Sequence, residues 1–417
     1  MWTWLLLWNP LIVLWCLWVT QSILVAIQSR KFARRVAMPP REWFDDHSPK
    51  TAVIMPFKGH DHDLPRNVRA ILNQRYDNYR LVFVFESEDD PARRLVEDEL
   101  DKFDAAPQVD LVVAGIAPPT TGQKVHNQLA ALSFLDQQND DSEVWVFADS
   151  DAVPGPGWLQ KLVGPHQQED RVGVTTGYRW LMPELRAQRP RTASMFASVI
   201  NSAVAMFMGH DKLTQAWGGS MAVRADFARE HNLVDNYFQG SLSDDYQMTR
   251  LCRDTGQRVY FVHQSLIASP INLNWGELLE FGRRQYLITR IHDPKLFRKA
   301  VGVIALYVAG FFTAWLGLIL GLISGFLVAP VLAAMAIVTV ASANQLRAMY
   351  RRRAIASAFG TDQLRYLRHT IRLDQWGTIA VMVVNLVLLL SATLGNTLTW
   401  RNNRYRLDGP QQIEKIT

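Results

Sequence analysis

The sequence contains very little cysteine. Only Cys16 and Cys252 occur among its 417 residues. Two cysteines give no disulfide framework and no cysteine-ligated metal site, and so small a number suits a reducing compartment. The fold is therefore expected to form without cross-links, on a reducing, cytoplasmic face.

Charged residues are missing from three long stretches, residues 1–29, 300–346 and 375–400. A helix needs about 20 apolar residues to cross a bilayer. The first and the last stretch are each long enough for one crossing. The middle stretch divides near Gly321 to Gly325 and is long enough for two. The sequence therefore predicts a membrane protein with four crossings.

The net charge of +5 is concentrated beside these stretches. Arg30 to Arg35 follow the first stretch, and seven arginines lie between Arg347 and Arg372. This distribution favours an anionic lipid surface over nucleic acid as the partner, and the positive-inside rule places both basic segments in the cytoplasm. Because the charge follows the first apolar stretch, we interpret that stretch as an uncleaved anchor and not as a signal peptide.

The C-terminal tail gives conflicting predictions. Counting four crossings from a cytoplasmic Arg30 puts the tail on the opposite side of the membrane. The segment from Trp400 to Arg406 is nevertheless basic, which is typical of the cytoplasmic side. A re-entrant apolar segment would reconcile the two predictions.

Strand and helix patterns alternate between the first and second apolar stretches. We predict strands at 51–56, 79–85, 109–114 and 144–148, and helices at 64–74, 91–103 and 124–137. Further strands are predicted at 173–178 and 259–262, a Gly-rich turn entering a strand at 217–223, and helices at 192–207, 243–255 and 277–290. Such alternation is typical of right-handed βαβ units. The predicted fold class is α/β with a mainly parallel central sheet, plus transmembrane helices.

The stretch from Val144 to Ala152 is the most informative one. A buried-strand pattern ends at Asp149 and Asp151, and Gly and Pro residues follow at once. Open α/β sheets bind ligands at the carboxyl ends of their strands, and residues i and i+2 of a strand point the same way. The two carboxylates could share Mg²⁺ or Mn²⁺, which prefer carboxylate and phosphate oxygens. Taken alone, the pair fits a turn or a helix N-cap better.

Two further acidic clusters, Glu86 to Asp90 and Asp244-Asp245, stand where strands or turns should end. Taken alone, the first fits a solvated loop and the second a helix N-terminus, where the helix dipole favours acids. Transfer of a sugar from a nucleotide diphosphate needs groups of this kind. One must hold the nucleotide, a metal must neutralise the diphosphate, and a carboxylate base must take the proton of the acceptor hydroxyl.

The order of these clusters resembles the family 2 inverting glycosyltransferases. Within them it is most similar to the membrane branch that contains the ceramide glucosyltransferases and the bacterial hopanoid glycosyltransferases, over nearly the whole chain. The motifs that carry the resemblance are Pro56-Phe57-Lys58-Gly59, Asp89-Asp90-Pro91-Ala92, Gly122-x-Lys124-x-x-Asn127, Asp149-Ser150-Asp151, Gly218-Gly219-Ser220-Met221, Asp244-Asp245-Tyr246 and the Trp-Arg-x-x-Arg-Tyr tail from Trp400.

The resemblance implies a GT-A domain and a role for each motif. Asp149 and Asp151 would bind Mg²⁺ or Mn²⁺, and Asp245 would be the general base. The residues implied in substrate binding are Glu86 and Asp90 for the nucleotide, Lys124 and Asn127 near the uridine and diphosphate, Gly219 in the turn that borders the acceptor site, and Asp244 beside the base.

One motif departs from the family pattern. A Gln/Arg-x-x-Arg-Trp motif should follow the base, whereas this chain has Phe281-Gly282-Arg283-Arg284-Gln285-Tyr286. Arginines remain available to pair with diphosphate oxygens, so Arg283, Arg284 and Gln285 are predicted to bind substrate. The alternative is a basic interfacial helix whose arginines meet lipid phosphates.

We therefore predict an enzyme of the bacterial inner membrane that moves one sugar from a UDP-sugar to a lipid hydroxyl. A processive polysaccharide synthase and a non-catalytic nucleotide-sugar-binding membrane protein are the alternatives. The predicted domains are an anchor (1–29), a cytoplasmic linker (30–50), a cytoplasmic GT-A domain (51–299), two transmembrane helices (300–346), a basic cytoplasmic or interfacial loop (347–374), a last transmembrane helix (375–396) and a basic tail (397–417).

Overall fold

The structure, a computed structural model, describes most of the chain. The described residues are 2–39, 41, 43, 48–59, 63–103, 107–184, 189–210, 213–325, 327–400 and 403–416. Residues 40, 42 and 44–47 of the predicted linker, and residues 401, 402 and 417 of the predicted tail, lie outside them.

Ten strands form two sheets in the described part of the chain. They are β1 (Thr51–Pro56), β2 (Tyr79–Phe85), β3 (Gln108–Val113), β4 (Val144–Ala148), β5 (Val172–Pro183), β6 (Ser220–Arg224), β7 (Arg258–Ile271), β8 (Thr397–Trp400), β9 (Asn403–Gly409) and β10 (Gln412–Lys415). The large sheet has the order β3-β2-β1-β4-β6-β5-β7. Its first four strands run parallel, and β6 pairs antiparallel with both β4 and β5. The small sheet, β10-β9-β8, is antiparallel.

The helices alternate with these strands and then continue alone. They are α1 (Trp2–Val36), α2 (Leu64–Leu72), α3 (Pro91–Leu100), α4 (Gln123–Gln137), α5 (Trp158–Val163), α6 (Pro165–Gln168), α7 (Thr192–Phe207), α8 (Ala225–Glu230), α9 (Asp244–Asp254), α10 (Trp275–His292), α11 (Pro294–Ser324), α12 (Val328–Phe359), α13 (Gln363–Tyr366), α14 (Arg368–Trp376) and α15 (Thr378–Ser391). A π-helical turn spans Val234–Phe238.

The large sheet is buried on both faces, as parallel strands require. Val53 and Met55 of β1 belong to one apolar cluster, whereas Ala52 and Ile54 point into another, because successive strand residues face opposite sides. Helices α2, α3 and α5 cover the first face, and α4 and α9 cover the second. The predicted α/β class with a mainly parallel sheet is confirmed.

The strand order reverses direction between β1 and β4. The chain moves from β1 outward to β2 and β3, and then returns to the other side of β1 with β4. Helices on opposite faces leave a crevice at the carboxyl ends of the two strands where such a reversal occurs, and this crevice is the usual ligand site of an open α/β sheet. Pro56 and Ala148 end these two strands, so the residues that follow them border the crevice.

The described residues divide into two compact units. The sheet unit comprises 39–180, 207–269 and 396–417, and the helical unit comprises 1–38, 181–206 and 270–395. Helices α7 and α10 thus group with the long apolar helices, and the small C-terminal sheet groups with the large sheet. The domain bounds predicted from the sequence follow the chain order and stay a prediction.

Three helices of the helical unit are long and apolar enough to cross a membrane. Within the described residues they are Trp8–Val36, Pro294–Ser324 and Val328–Phe359. Trp15 and Trp18 of α1 pack closely on α11, where an added Cβ at Gly317 would lie 2.4 Å from Trp15 and one at Gly310 would lie 2.5 Å from Trp18. Small residues permit such close helix packing in membranes.

The last apolar stretch is bent. Helices α14 and α15 meet at an angle of 88°, and α15 has only 14 residues. Among the described residues, the helices long and apolar enough to cross a membrane therefore number three, or four if the bent pair counts as one span, where the sequence predicted four.

Candidate active site

The carboxyl ends of β1, β2 and β4 carry the first group of predicted site residues. Phe57-Lys58-Gly59 follows β1, Glu86 follows β2 and Asp149 follows β4. Each strand is an apolar run that ends where polar residues begin, and parallel strands deliver their carboxyl ends to one edge. Sequence reasoning therefore located these side chains correctly at the strand ends.

Lys124 lies at the centre of the site. Its Nζ is 2.7 Å from Asp149 Oδ1 and 2.9 Å from Asp244 Oδ2. Lys124 stands in the first turn of α4, and Asp244 is the first residue of α9. We call Lys124, Asp149 and Asp244 the donor cluster. Burial alone would lower the pKa of Lys124, but the two carboxylates outweigh burial and raise this pKa, so the side chain stays an ammonium ion.

Asp244 is the most deeply buried member of the donor cluster, with 2% of the residue exposed. Besides Lys124, it accepts a hydrogen bond of 2.7 Å from Nε2 of Gln128. Gln128 lies one helical turn after Lys124, so both side chains project from the same face of α4. The four-residue spacing from Lys124 could have identified Gln128 as a site residue, but the sequence prediction did not include it.

Asp245 is the predicted base, and it follows Asp244 in the first turn of α9. Its Oδ1 accepts hydrogen bonds from the Ser243 hydroxyl and from the backbone N–H of Tyr246, the latter at 2.8 Å. Burial and the neighbouring Asp244 carboxylate raise the pKa of Asp245 above its ordinary value. A carboxylate with a raised pKa is a better proton acceptor near neutral pH than an ordinary aspartate.

The Gly218-Gly219 turn passes directly over the donor cluster. A Cβ at Gly218 would lie 2.6 Å from both Asp244 Oδ2 and Lys124 Nζ, and a Cβ at Gly219 would lie 2.8 Å from Asp149 Oδ2. Neither position has room for a side chain. The turn therefore has to be glycine. Gly219 lies against Asp149, and its role beside the acceptor site stays a prediction.

Glu86 and Asp90 lie beside the loop that follows β1. Glu86 Oε2 is 2.8 Å from Lys58 Nζ, a partner that the prediction did not assign. Asp90 caps α3 by accepting from the N–H of Ala92 at 2.9 Å, and it also accepts from the N–H of Gly59 at 3.0 Å. Asp90 thus fixes the loop after β1 to the start of α3.

Asn127 is also buried against this loop. Its Nδ2 donates to the carbonyl of Phe57 at 3.4 Å, and its Oδ1 accepts from Gln123 Nε2 at 2.8 Å. These contacts join the first turn of α4 to the end of β1. In this structure Asn127 braces the walls of the crevice.

Asp151 stands two residues after Asp149 and is partly buried. Among the described residues, no group of three or more histidine, cysteine, aspartate or glutamate side chains is arranged to hold a metal ion. The two aspartates nevertheless offer the hard oxygen donors that Mg²⁺ and Mn²⁺ prefer, and such ions commonly complete their shell with water and phosphate oxygens. Asp149 and Asp151 therefore fit a metal ion whose remaining ligands are water and the oxygens of a bound diphosphate.

The predicted arginines lie on α10 in the helical unit. Arg283 donates to the carbonyls of Ser391 and Leu394, at 3.2 and 2.6 Å, and so caps the C-terminal end of α15. The guanidinium of Arg284 lies 5.4 Å from the ring centre of Phe281, and Gln285 is exposed. Binding of substrate by these three residues stays a prediction.

Comparison with known proteins gives one family. The model of "Glycosyl transferase family 21" matches residues 13–413, and no curated protein matches the sequence significantly. Similar solved structures include the mannosyltransferase PcManGT from Pyrobaculum calidifontis in complex with GDP-Man and Mn²⁺. It is 14% identical, has a TM-score of 0.47, and the match covers 92% of this chain and 98% of that one.

Two other solved structures are less similar. GalNAc-T7 with UDP, GalNAc and Mn²⁺ has 14% identity and a TM-score of 0.38, with 58% of this chain and 52% of that chain covered. A mycobacterial protein has 13% identity and a TM-score of 0.37, with 64% and 78% covered.

Proposed function

We propose the function of this chain from its family, since it belongs to glycosyl transferase family 21 and is therefore a nucleotide-sugar glycosyltransferase. In this proposal it transfers one sugar, with inversion, from a UDP-sugar to the hydroxyl of a membrane lipid. This membership confirms the resemblance to the ceramide glucosyltransferase branch. The observation that carries the proposal is the donor cluster, in which Lys124 bridges Asp149 and Asp244 beside the base Asp245.

The donor cluster has the charges that diphosphate release requires. Lys124 would place an ammonium ion against the departing diphosphate, where charge develops in the transition state. Asp244 of α9 holds this ammonium, and Gln128 of α4 in turn fixes Asp244 by donating to its carboxylate. Because Lys124 is fixed before the donor binds, little reorganisation is needed when the charge develops.

Asp245 would act on the acceptor. As a carboxylate it would take the proton of the lipid hydroxyl while that oxygen attacks the anomeric carbon and the bond to the diphosphate breaks. A single displacement of this kind inverts the anomeric centre. Two features of Asp245 support this role. Its raised pKa makes it a better base, and its hydrogen bonds from Ser243 and Tyr246 keep it oriented.

Asp149 and Asp151 would hold a divalent metal, Mg²⁺ or Mn²⁺, when the donor is bound. A bound metal would supply Lewis-acid stabilisation of the diphosphate. Lys124 also lies against Asp149, so the metal and this ammonium would neutralise the diphosphate together.

The helical unit supports the proposal of a lipid acceptor. Three helices can cross a membrane, and apolar side chains on α7 and α10 are exposed as well, among them Val204, Phe207, Trp275 and Leu279. Aromatic and aliphatic side chains on short helices are typical of segments that lie at a membrane surface. An enzyme held at this surface is placed to take a lipid hydroxyl.

The membrane topology that we propose has three crossings, and α15 does not cross. Its 14 residues span about 21 Å at 1.5 Å per residue, less than the roughly 30 Å of hydrocarbon. The tail after α15 belongs to the sheet unit, with Lys415 N–H donating to the Pro119 carbonyl at 2.7 Å. Tail and large sheet must therefore lie on one side, which three crossings allow and four do not.

The bend before α15 is stabilised by buried charges. Arg347 donates to the carbonyl of Asp374 at 2.8 Å, to its carboxylate at 2.9 Å and to Thr378 Oγ1 at 3.1 Å. Arg351 donates to the same carboxylate at 2.6 Å. We call Arg347, Arg351 and Asp374 the arginine cluster. These bonds hold both sides of the bend at Gly377 and support a re-entrant α14–α15 pair.

The topology can be tested with single cysteines in sealed membrane vesicles, after Cys16 and Cys252 are replaced by serine. A membrane-impermeant thiol reagent should label Asp408→Cys in the tail and Asp226→Cys in the sheet unit from the same side. Ser324→Cys, at the end of α11, should be labelled from the opposite side. If Asp408→Cys and Ser324→Cys were labelled from the same side, α15 would cross the membrane.

The transfer itself is tested with radiolabelled UDP-sugars and native membrane lipids. The purified protein should move label from one UDP-sugar into a lipid carrying a single added sugar, as identified by mass spectrometry. A polymer of many sugars as product would favour a polysaccharide synthase. UDP binding without transfer or hydrolysis of any UDP-sugar would favour a nucleotide-sugar sensor.

A further inference from the structure

The small C-terminal sheet has a buried face. Leu398, Tyr405, Leu407 and Ile413 are each at most 5% exposed, while the residues between them on β9, such as Arg404 and Arg406, are exposed. This alternation is that of a sheet with one face packed and one solvated. The tail is therefore an integral layer of the sheet unit.

The turn between β9 and β10 contacts the helix of the base. Gln247, two residues after Asp245 on α9, is fully buried, and its Nε2 donates to the carbonyl of Pro410 at 2.9 Å. Arg250 on the next turn donates to Gln411 Oε1 at 2.8 Å. The first two turns of α9 are thus hydrogen-bonded to the tail.

The same turn also contacts the loop that leads into α9. Gln411 Nε2 donates to the carbonyl of Gln239 at 3.0 Å. The chain passes so close that a Cβ at Gly240 would lie 3.0 Å from the Gln411 carbonyl oxygen. At the next residue, the Ser241 carbonyl accepts from the N–H of Gly122 at 3.0 Å, so this loop is joined to the start of α4.

The start of α4 has its own contacts with the tail. The N–H of Lys415 donates to Pro119 at 2.7 Å, and the Tyr405 hydroxyl makes a hydrogen bond with the backbone of Gln123, the residue before Lys124. Burial raises the pKa of Tyr405, and the charge of Glu86 acts in the same direction.

From these contacts we propose that the C-terminal sheet is a positioning element of the active site, which fixes α4 and α9 together through Tyr405 and Gln247. Helix α4 carries Lys124, and α9 carries Asp244 and Asp245, so the separation of the two helices sets the geometry of the donor cluster and of the base. The proposal rests on the proposed function, because it assigns the two positioning residues to that reaction.

The two residues should give different kinetic signatures. Gln247→Met keeps the volume but removes the donor to Pro410, so it loosens the helix of the base. We expect kcat to fall roughly 10- to 100-fold, the range reached when a reacting group is misplaced by about 1 Å, with the KM for the UDP-sugar unchanged. Tyr405→Phe removes the hydroxyl that bonds the backbone of Gln123, the residue before Lys124, and should weaken UDP binding several-fold, with a smaller effect on kcat.

Arg406→Met is the matched control. It removes ion pairs with Asp408 and Glu414 on the exposed face of the same sheet, and it should leave both parameters unchanged. Rates are expressed per UDP-binding site, so that unfolded protein does not enter the comparison. A sheet that only stabilises the fold would lower the number of sites and leave kcat and KM per site as in the control, and that result would overturn the proposal.

The proposed function can fail separately. If the wild-type protein transfers no sugar, the reaction assignment falls, and UDP affinity alone then tests the positioning role. Weaker UDP binding by Tyr405→Phe than by Arg406→Met would support that role, and equal affinities would overturn it.

Discussion

The two units of this protein each bury a small group of charges, with opposite composition. The donor cluster in the sheet unit has one cation between two carboxylates, and the arginine cluster in the helical unit has two cations on one carboxylate. An excess of buried negative charge attracts a second cation and raises the pKa of a nearby acid. An excess of buried positive charge needs hydrogen-bond acceptors in addition to the single carboxylate.

The arginine cluster finds such acceptors in the protein itself. The backbone carbonyl of Asp374 and the hydroxyl of Thr378 accept from Arg347, so part of the excess is satisfied by fixed dipoles at the bend. In the donor cluster, Asp244 accepts from Gln128 and pairs with Lys124. These two contacts still leave two carboxylates against one cation. This difference in charge is the one expected if the arginine cluster serves structure and, as proposed, the donor cluster serves binding and chemistry.

Metal removal should produce the largest difference between the two clusters, because it should affect activity and leave the helical unit unchanged. If the donor cluster completes its charge balance with a divalent ion, excess chelator should abolish transfer, and added Mg²⁺ or Mn²⁺ should restore it. The thermal stability of the helical unit should not change, since its excess charge is positive. Full activity in excess chelator would contradict the metal role of Asp149 and Asp151.

Asp374→Asn should destabilise the helical unit. Removing the shared carboxylate leaves two buried arginines without a countercharge, which typically lowers the free energy of unfolding by about 3–5 kcal/mol. Thermal unfolding in detergent measures this change. Asp362→Asn, at an exposed position of the same region, is the control, and equal melting temperatures of the two variants would mean that the arginine cluster does not hold the bend.

Lys124→Met should reduce transfer roughly 100-fold, as expected when one group that stabilises developing negative charge is removed. It should also weaken UDP binding. Initial rates and UDP affinities measure both effects, with Lys102→Met, an exposed lysine paired with Glu99, as the control. Unchanged kinetics would show that Lys124 only neutralises Asp149 and Asp244.

The pH dependence of the rate should report the raised pKa of Asp245. The base acts only when deprotonated, so kcat/KM should fall about tenfold per pH unit below that pKa. This acidic limb should lie above the pKa of about 3.9 of an ordinary aspartate. A rate that stays constant down to pH 4 would contradict the assignment of Asp245 as a buried base.

Local pattern predicted the parts of the site that depend on neighbouring residues. The apolar runs that end at Glu86 and Asp149 predicted two strand ends, and Asp244-Asp245 predicted a helix start. The structure places all of them accordingly. The Gly218-Gly219 turn was also predicted, although the reason for glycine, the close approach to Lys124 and Asp149, is a contact between distant segments.

The parts that sequence could not predict depend on long-range packing. Lys124 and Asp244 are 120 residues apart, and Gln247 and Pro410 are 163 apart. No periodicity records such pairings. The tail gave conflicting predictions for the same reason. Hydropathy identifies a last apolar run, but it contains no information on the bend at Gly377 or on the packing of β8 to β10.

Asp245 is the residue on which the proposed transfer depends most directly, and one measurement tests its role. Sugar transfer to lipid, per UDP-binding site, should be compared between the wild-type protein and Asp245→Asn. We expect the variant to bind UDP as tightly as the wild type and to lose transfer by roughly 10²- to 10⁴-fold, the contribution of a general base. Transfer by Asp245→Asn at the wild-type rate would contradict the role of Asp245 as the base.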